Sequence, residues 1–212
     1  MQNTSHAVMS QRVEACDSPD DFPTPPWATR ALIEHVIGAK QIAEMSCLEP
    51  ACGAGHMVKV LRDYFAEVRF ADANYYGFGP VRDFLSYPYE TNAVDWVITN
   101  PPFRLAEDFT QRALDVARVG VAMLVRSVFL ESVGRYERLF SKSPPAIFAQ
   151  FVERVPMVKG RLDKKASTAT GYAWLVWKHE NSDQTRVNWI PPCRKRLEKE
   201  GDYSNLQRSF DW

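Results

Sequence analysis

The chain has 212 residues, of which 45% are hydrophobic and 25% charged, enough for one domain with a sizeable core and ordinary for a globular protein. Lys+Arg and Asp+Glu balance at 26 each, so net charge does not mark a nucleic-acid binder, and contact with a polyanion has to come from local patches. No apolar run approaches the roughly 18–20 residues of a membrane span, and the first twenty residues lack the apolar stretch of a secretory signal, so the expectation is a cytoplasmic protein without membrane contact.

Residues 1–20 are polar and aperiodic and read as a flexible tail, ahead of a catalytic domain over 21–190 and a charged extension over 191–212. In "DDFPTPPWATRALIEHVIGAK" the prolines hold off a helix until Trp27, after which Leu32, Ile33, Val36 and Ile37 predict an amphipathic helix near 27–39. "EMSCLEP" is a short buried strand, and "HMVKVLRDYFAEV" is a helix. "VRFADA" is a second strand, and "VRDFL" is either a third or a turn beside the sheet. "AVDWVIT" is a buried strand, and "RLAEDFTQRALDVARV" is a helix with Leu105, Phe109, Ala113, Leu114 and Val116 as its apolar positions. "GVAMLVR" is a further strand. "AIFAQFVERVPMV" and "GYAWLVWKH" form a late hairpin spanned by "KGRLDKKASTAT", and "RKRLEK" is a solvated helix face. Strands alternating with helices imply an α/β sheet, mostly parallel, closed by an antiparallel hairpin, with helices on both faces. Ligands of such sheets bind beyond the carboxyl ends of the strands. The four cysteines, Cys16, Cys47, Cys52 and Cys193, show no zinc-like spacing and are expected to be reduced, with Cys47 and Cys52 in or near the core. No metal is expected.

Two stretches lie where that rule directs attention. After the first strand, "LEPACGAGHMVKV" gives Glu49, then Gly53 and Gly55, then a helix, a tight turn that lets a ligand approach the backbone. It lacks the Gly-Lys-Ser/Thr of a phosphate loop, and Val58 stands where a dinucleotide-binding turn has its third glycine. A carboxylate at Glu49 suits a ligand that is cationic or rich in hydroxyls. Later, "DWVITNPPF" closes a buried strand with Asn100-Pro101-Pro102-Phe103.

Glu49-Pro50-x-x-Gly53-x-Gly55 resembles the first motif of class I S-adenosylmethionine-dependent methyltransferases. With Asn100-Pro101-Pro102-Phe103 it resembles the amino-methyltransferases, above all the N6-adenine DNA methyltransferases of phages and prophages. The resemblance implies a Rossmann-like fold and S-adenosyl-L-methionine as cofactor. It places Asp72 on the cofactor ribose, Asp83 at the cofactor amino group with Phe84 beside the ring, and "FPTPPWAT", at Thr24 and Pro25, at the methionine end. Glu49, Pro50, Cys52, Gly53, Gly55 and Asn100 complete the implied cofactor set, although Cys52 by itself reads as a small filler of the turn. The span from Asp72 to Asp83 is too short for the usual intervening helix.

An exocyclic amino nitrogen is a poor nucleophile because its lone pair is delocalised into the ring. Two acceptors, the Asn100 side-chain oxygen and the Pro101 carbonyl, can hold its N–H bonds and aim it at a sulfonium methyl. The prolines pre-set both, and Phe103 offers a stacking face. No strong general base is required. The same tetrad serves adenine in DNA, adenine or guanine in RNA, and protein glutamine, so it does not choose the polymer. Between Glu153 and Lys165 five positive residues, among them Lys159, Arg161, Lys164 and Lys165, stand against two negative ones, a basic loop suited to phosphates. The late strands leave no room for a large recognition domain. The expectation is therefore DNA first, then RNA, with loose sequence specificity or a homodimer, and with the target base flipped from a duplex.

Overall fold

The computed structural model describes residues 20–179 and 184–203; Cys16 and all but the last residue of the expected tail lie outside them. Seven strands form one sheet in the order β2-β1-β3-β4-β6-β5-β7. They are β1 (Ser46–Glu49), β2 (Glu67–Phe70), β3 (Val94–Thr99), β4 (Ala117–Arg126), β5 (Ile147–Phe151), β6 (Tyr172–Lys178) and β7 (Arg186–Ile190). The first four are mutually parallel, β6 runs antiparallel to both β4 and β5, and β7 returns parallel to β5. The late hairpin of β5 and β6 is therefore present, and an edge strand that the sequence reading did not anticipate, β7, lies outside it. This α/β sheet, mostly parallel with one antiparallel hairpin and covered on both faces, is the architecture expected.

The central strands β3 and β4 are buried along nearly their whole length, as continuous apolar runs of a doubly covered sheet must be. Alternate side chains serve different cores. Trp96, Ile98, Ala122 and Leu124 pack with α1 (Pro26–Leu32) and α3 (His56–Leu61) on one face. Val97, Val121, Met123 and Val125 pack with α4 (Ala106–Val116) and Leu139 on the other. This is the period-2 alternation of a strand turned to two layers.

Several boundaries differ from expectation for local reasons. Helix α1 begins at Pro26 rather than Trp27, because proline is tolerated at the first helical position, where its missing N–H has no partner to lose. It continues as a π turn to Ile37, stops at Gly38 (φ 95°), and a short α2 (Ala39–Ile42) follows. Leu105 is not a core position of α4. It falls in a 3₁₀ turn, Phe103–Leu105, and is exposed. "VRDFL" is mostly turn; only Val81 bridges to Asp72, the vestige of an outer strand, and no helix lies between them. A short helix over Val133–Arg135 (α5) running into a π turn over Tyr136–Phe140 was not foreseen.

The charged C-terminal segment folds back onto the domain. Helix α6 (Arg194–Leu197) is solvated along most of its surface but buries Leu197, and Asp202 receives the Arg30 guanidinium through two bonds of 2.7 and 2.8 Å with both residues buried. A pair so far from water is held by its geometry, since either partner alone would be an uncompensated buried charge. Cys47, Cys52 and Cys193 are free and buried, in keeping with the reduced state expected. No helix among the described residues is long and apolar enough to cross a membrane.

Candidate active site

Because β1 to β4 are parallel, their carboxyl ends meet at one edge of the sheet. There the turns after β1, β2 and β3 line an open cleft. Thr24, Glu49, Pro50, Cys52, Gly53, Asp72, Asn100 and Pro102 of the sequence-derived set line it. Pro25, Gly55 and Pro101 are buried residues adjoining that lining. Gly53 (φ 50°) and Gly55 (φ 84°) both take the left-handed conformation that the turn demands, and a Cβ on Gly55 would lie 2.6 Å from the Phe78 ring. The turn thus fits only glycine there.

The acids of the cleft are held by the same turns. Asp72 accepts from the Gly53 and Asn74 N–H groups, each at 2.9 Å, which ties the end of β2 to the glycine turn. Burial pushes its carboxyl above the usual range, against the pull of those backbone bonds. Glu49 is buried, with Oε1 accepting from Thr99 Oγ1 (2.5 Å) and the Ala51 N–H (3.1 Å), while Oε2 has no protein partner. Burial raises its carboxyl to about 8, the bonds from Thr99 and Ala51 opposing and the nearby Asp72 adding to the rise. Asp21 is likewise raised, first by burial and then by Asp72, with Lys159 opposing. Among the described residues no lysine or arginine lines this cleft. Its one histidine, His56, is lowered to about 4 by burial and by Lys59, and is neutral at pH 7. Such a cavity favours a cationic or hydroxyl-bearing ligand that can satisfy Glu49 Oε2 and disfavours phosphate.

Asn100 sits at the cleft wall where β3 ends. Its Nδ2 donates to the Phe22 carbonyl (2.8 Å), and Met157 Sδ lies 3.7 Å from the same nitrogen. A carbonyl can only accept, so the amide orientation follows, and Oδ1 is left buried without a partner. An unpaired buried acceptor is costly unless a ligand supplies a donor. Pro102 directs its carbonyl to the Leu105 N–H (2.9 Å), starting the 3₁₀ turn. Phe103 donates its N–H to Asp20 Oδ2 (2.6 Å). Its ring does not line the cleft. It lies 5.2 Å from Phe22 and carries the Arg126 guanidinium 4.3 Å from its centroid, so a stacking base would have to displace Arg126.

Other expected residues fall elsewhere. Asp83 is exposed and caps its own turn through the Leu85 N–H (3.1 Å) and Ser86 Oγ (3.0 Å). Phe84 is a core residue against Phe109, 5.1 Å away; Phe109 rather than Phe84 lines the cleft. The basic loop starts at the cleft, where the Gly160 N–H donates to the Asp21 carbonyl (2.9 Å), but then leads away. Arg161 faces Asp163 at 3.4 Å, Lys164 turns to Glu198 and the Tyr203 ring, and Lys165 is exposed. The sequence reading missed Asp20, Asp21, Phe22, His56, Asn74 and Tyr76 as cleft residues. The adjacency of His56 to Gly55, and of Asp20 to Phe22 to the proline run, was the only available signal. No group of His, Cys, Asp and Glu among the described residues could hold a metal ion.

No protein-family model and no curated protein sequence matches the chain. Solved structures do. A Pyrococcus horikoshii protein described as a proposed RNA methyltransferase superposes with a TM-score of 0.56 at 17% identity, over 79% of this chain and 93% of that one. A Methanococcus maripaludis protein described as a proposed S-adenosylmethionine-dependent methyltransferase gives 0.48 at 10% identity, over 74% and 86%. With the sheet order, the glycine turn and the cleft already described, the chain has the Rossmann-like fold of the class I S-adenosylmethionine-dependent methyltransferases.

Proposed function

We propose that the protein transfers a methyl group from S-adenosyl-L-methionine to the exocyclic amino group of adenine in DNA. The observation that carries this reading is the buried, unpartnered Asn100 Oδ1 at the edge of a cleft without positive side chains. The cofactor lies in the cleft, with Asp72 and Glu49 taking its hydroxyl and cationic groups and Thr24, Pro25, Pro50, Cys52, Gly53 and Gly55 shaping the wall. The backbone bonds that fix Asp72 and the Phe22 carbonyl that fixes Asn100 hold these acceptors before any ligand arrives, so little reorganisation is needed.

At the acceptor end, Asn100 Oδ1 and the Pro101 carbonyl receive the two N–H bonds of the target amino group. The nitrogen lone pair is thereby drawn out of conjugation and points along the line to the methyl carbon. S-adenosylmethionine held in the cleft would supply the methyl group: the N–C bond would form as the S–C bond broke, with the electron pair going to sulfur and the surplus amino proton to solvent. His56 is neutral and belongs to the cofactor turn, so it is not needed as a base. Phe103 stacks the base once Arg126 moves aside. Asp83, Phe84 and Lys159 have no role in this reading, and of the basic loop the exposed Lys165 remains as a phosphate contact.

A second reading, transfer to adenine or guanine amino groups in RNA, is supported by the description of the Pyrococcus horikoshii protein. Incubation with labelled S-adenosylmethionine and DNA, RNA or protein pools, followed by nucleoside and amino-acid analysis, tests both. Label in N6-methyladenine of DNA is the expected result; label only in RNA selects the second reading, and a ring-carbon methyl overturns the amino-transfer mechanism.

A further inference from the structure

A second cavity opens on the far side of the Asn-Pro-Pro-Phe turn. Phe103 and Ala106 form one wall, and Val125 and Arg126 from the end of β4, Val128, Phe129 and Glu131 from the turn after it, and Arg135 from α5 form the rest. Its chemistry is the reverse of the cofactor cleft. The Arg126 guanidinium lies over the Phe103 ring, and the Arg135 guanidinium lies 3.9 Å from the Phe129 centroid. Arg135 is tied down, with Nη1 donating to the Phe129 carbonyl and Nε 3.9 Å from Glu107. Arg126 is exposed, with the Phe103 ring and the Tyr172 hydroxyl as its partners, and no ion pair among the described residues engages it. Val128 is 58% exposed at the rim, and Val133 and Tyr136 continue the apolar surface at 77% and 61%. Aromatic and aliphatic faces interleaved with a guanidinium lacking a carboxylate partner make a platform for stacked bases and their phosphates.

We propose that this cavity seats the nucleotide adjoining the target in the substrate strand, with the exposed Val128 receiving its base and Arg126 its phosphate. The inference rests on the methyl-transfer reading above. Two features turn the strand away from the other side of the turn: the cofactor cleft is lined by Asp20, Asp21 and Asp72, which repel phosphate, and no positive side chain among the described residues lines it. The strand therefore leaves the acceptor position across Phe103, and the first cavity it meets is this one. Arg126 then has two positions, over Phe103 in the free protein and on the phosphate in the complex, so that vacating Phe103 and gripping the strand are one movement. Glu131 gives the rim a single acceptor for a base amino group.

The test is binding of a fluorescent single-stranded 12-mer by the full chain, read by anisotropy across a salt series. Wild type is compared with Val128→Asp and Arg126→Gln, both changes at exposed positions, and S-adenosylmethionine affinity is measured by calorimetry on each. The expected result is about a tenfold weaker grip on the 12-mer for each variant and a salt slope smaller by about one for Arg126→Gln, with cofactor affinity unchanged. Equal binding by wild type and both variants overturns the subsite, and leaves the proposed function standing if the 12-mer is methylated. Weakened binding without methylation of any base amino group sustains the subsite and sinks the proposed function. A wild type that ignores the 12-mer and methylates only a glutamine peptide overturns both.

Discussion

The two cavities that flank the Asn-Pro-Pro-Phe turn carry opposite electrostatics. The cleft beyond β1 and β2 is walled by Asp20, Asp21 and Asp72, by the Glu49 carboxyl, which burial raises to about 8, and by a histidine held neutral. The cavity beyond β4 presents two guanidiniums against one carboxylate. On the proposed function, the contrast would separate a cationic methyl donor from a polyanionic acceptor without a partition between them, each ligand being repelled from the other's place, and a chain with balanced overall charge would need no net positive field to serve a nucleic acid. The sorting is done over a few ångströms at one sheet edge, where Coulomb energies are largest, and not by the net field.

The largest effect that would test this division is at the turn itself. Asn100→Ala is expected to lower turnover about 100- to 1000-fold while S-adenosylmethionine affinity, followed by calorimetry, stays within a few-fold. If cofactor binding collapses with turnover, the residue braces the cleft and does not face the acceptor. Next is the donor side. Gly55→Val places a side chain on the Phe78 ring at φ 84°, and cofactor affinity is expected to fall more than about tenfold, with Gly53→Val (φ 50°) acting in the same direction. Wild-type affinity in both variants would remove the glycine turn from the site.

A smaller effect probes the carboxylates directly. Burial raises Glu49 to about 8, so at pH 7 it is mostly protonated, and a cation or hydroxyl donor must draw off that proton to use the carboxylate. The sign follows: bound ligand lowers the Glu49 pKa, binding releases a proton, and affinity rises from pH 6.5 to about 8 and then levels. Glu49→Gln should flatten that limb, and a limb that survives the substitution assigns it to another group, such as the raised Asp21. The smallest effect is at the basic loop. Lys164 is engaged by Glu198 and Tyr203, and Arg161 by Asp163, so a Lys164→Glu and Lys165→Glu double variant is expected to weaken oligonucleotide binding only a few-fold, and less at high salt. A loss larger than that of Arg126→Gln would move the acceptor side from the β4 cavity to the loop.

Legibility in the sequence followed the range of the forces involved. The strands β1, β3, β4 and β6 were readable because a strand covered on both faces needs an unbroken apolar run. The glycine turn was readable because its conformation restricts the residue type at Gly53 and Gly55. Strand β7 was not. Arg186 to Ile190 buries only its last residue, and its place beside β5 is set by backbone pairing that any sequence could supply. Asp83 and Phe84 show the limit of motif spacing. With no helix after β2 the segment turns back at once, Asp83 caps its own turn, and Phe84 drops into the core where Phe109 meets it. The cavity beyond β4 was invisible for a further reason: Phe103, Arg126 and Arg135 are separated along the chain, and nothing in the sequence joins the two arginines to the motif that holds Phe103.

The sequence by itself determined the layered α/β fold and the conformation of the glycine turn, because these depend on apolar period and on local backbone geometry. Only the tertiary structure decided which charges share a cavity. Asp20, Asp21, Glu49 and Asp72 come from three segments, and Arg126 and Arg135 from a fourth, and the sheet brings them to one edge on opposite sides of a single turn. Electrostatic sorting acts through space, so it exists only once the parallel strands have placed their carboxyl ends together.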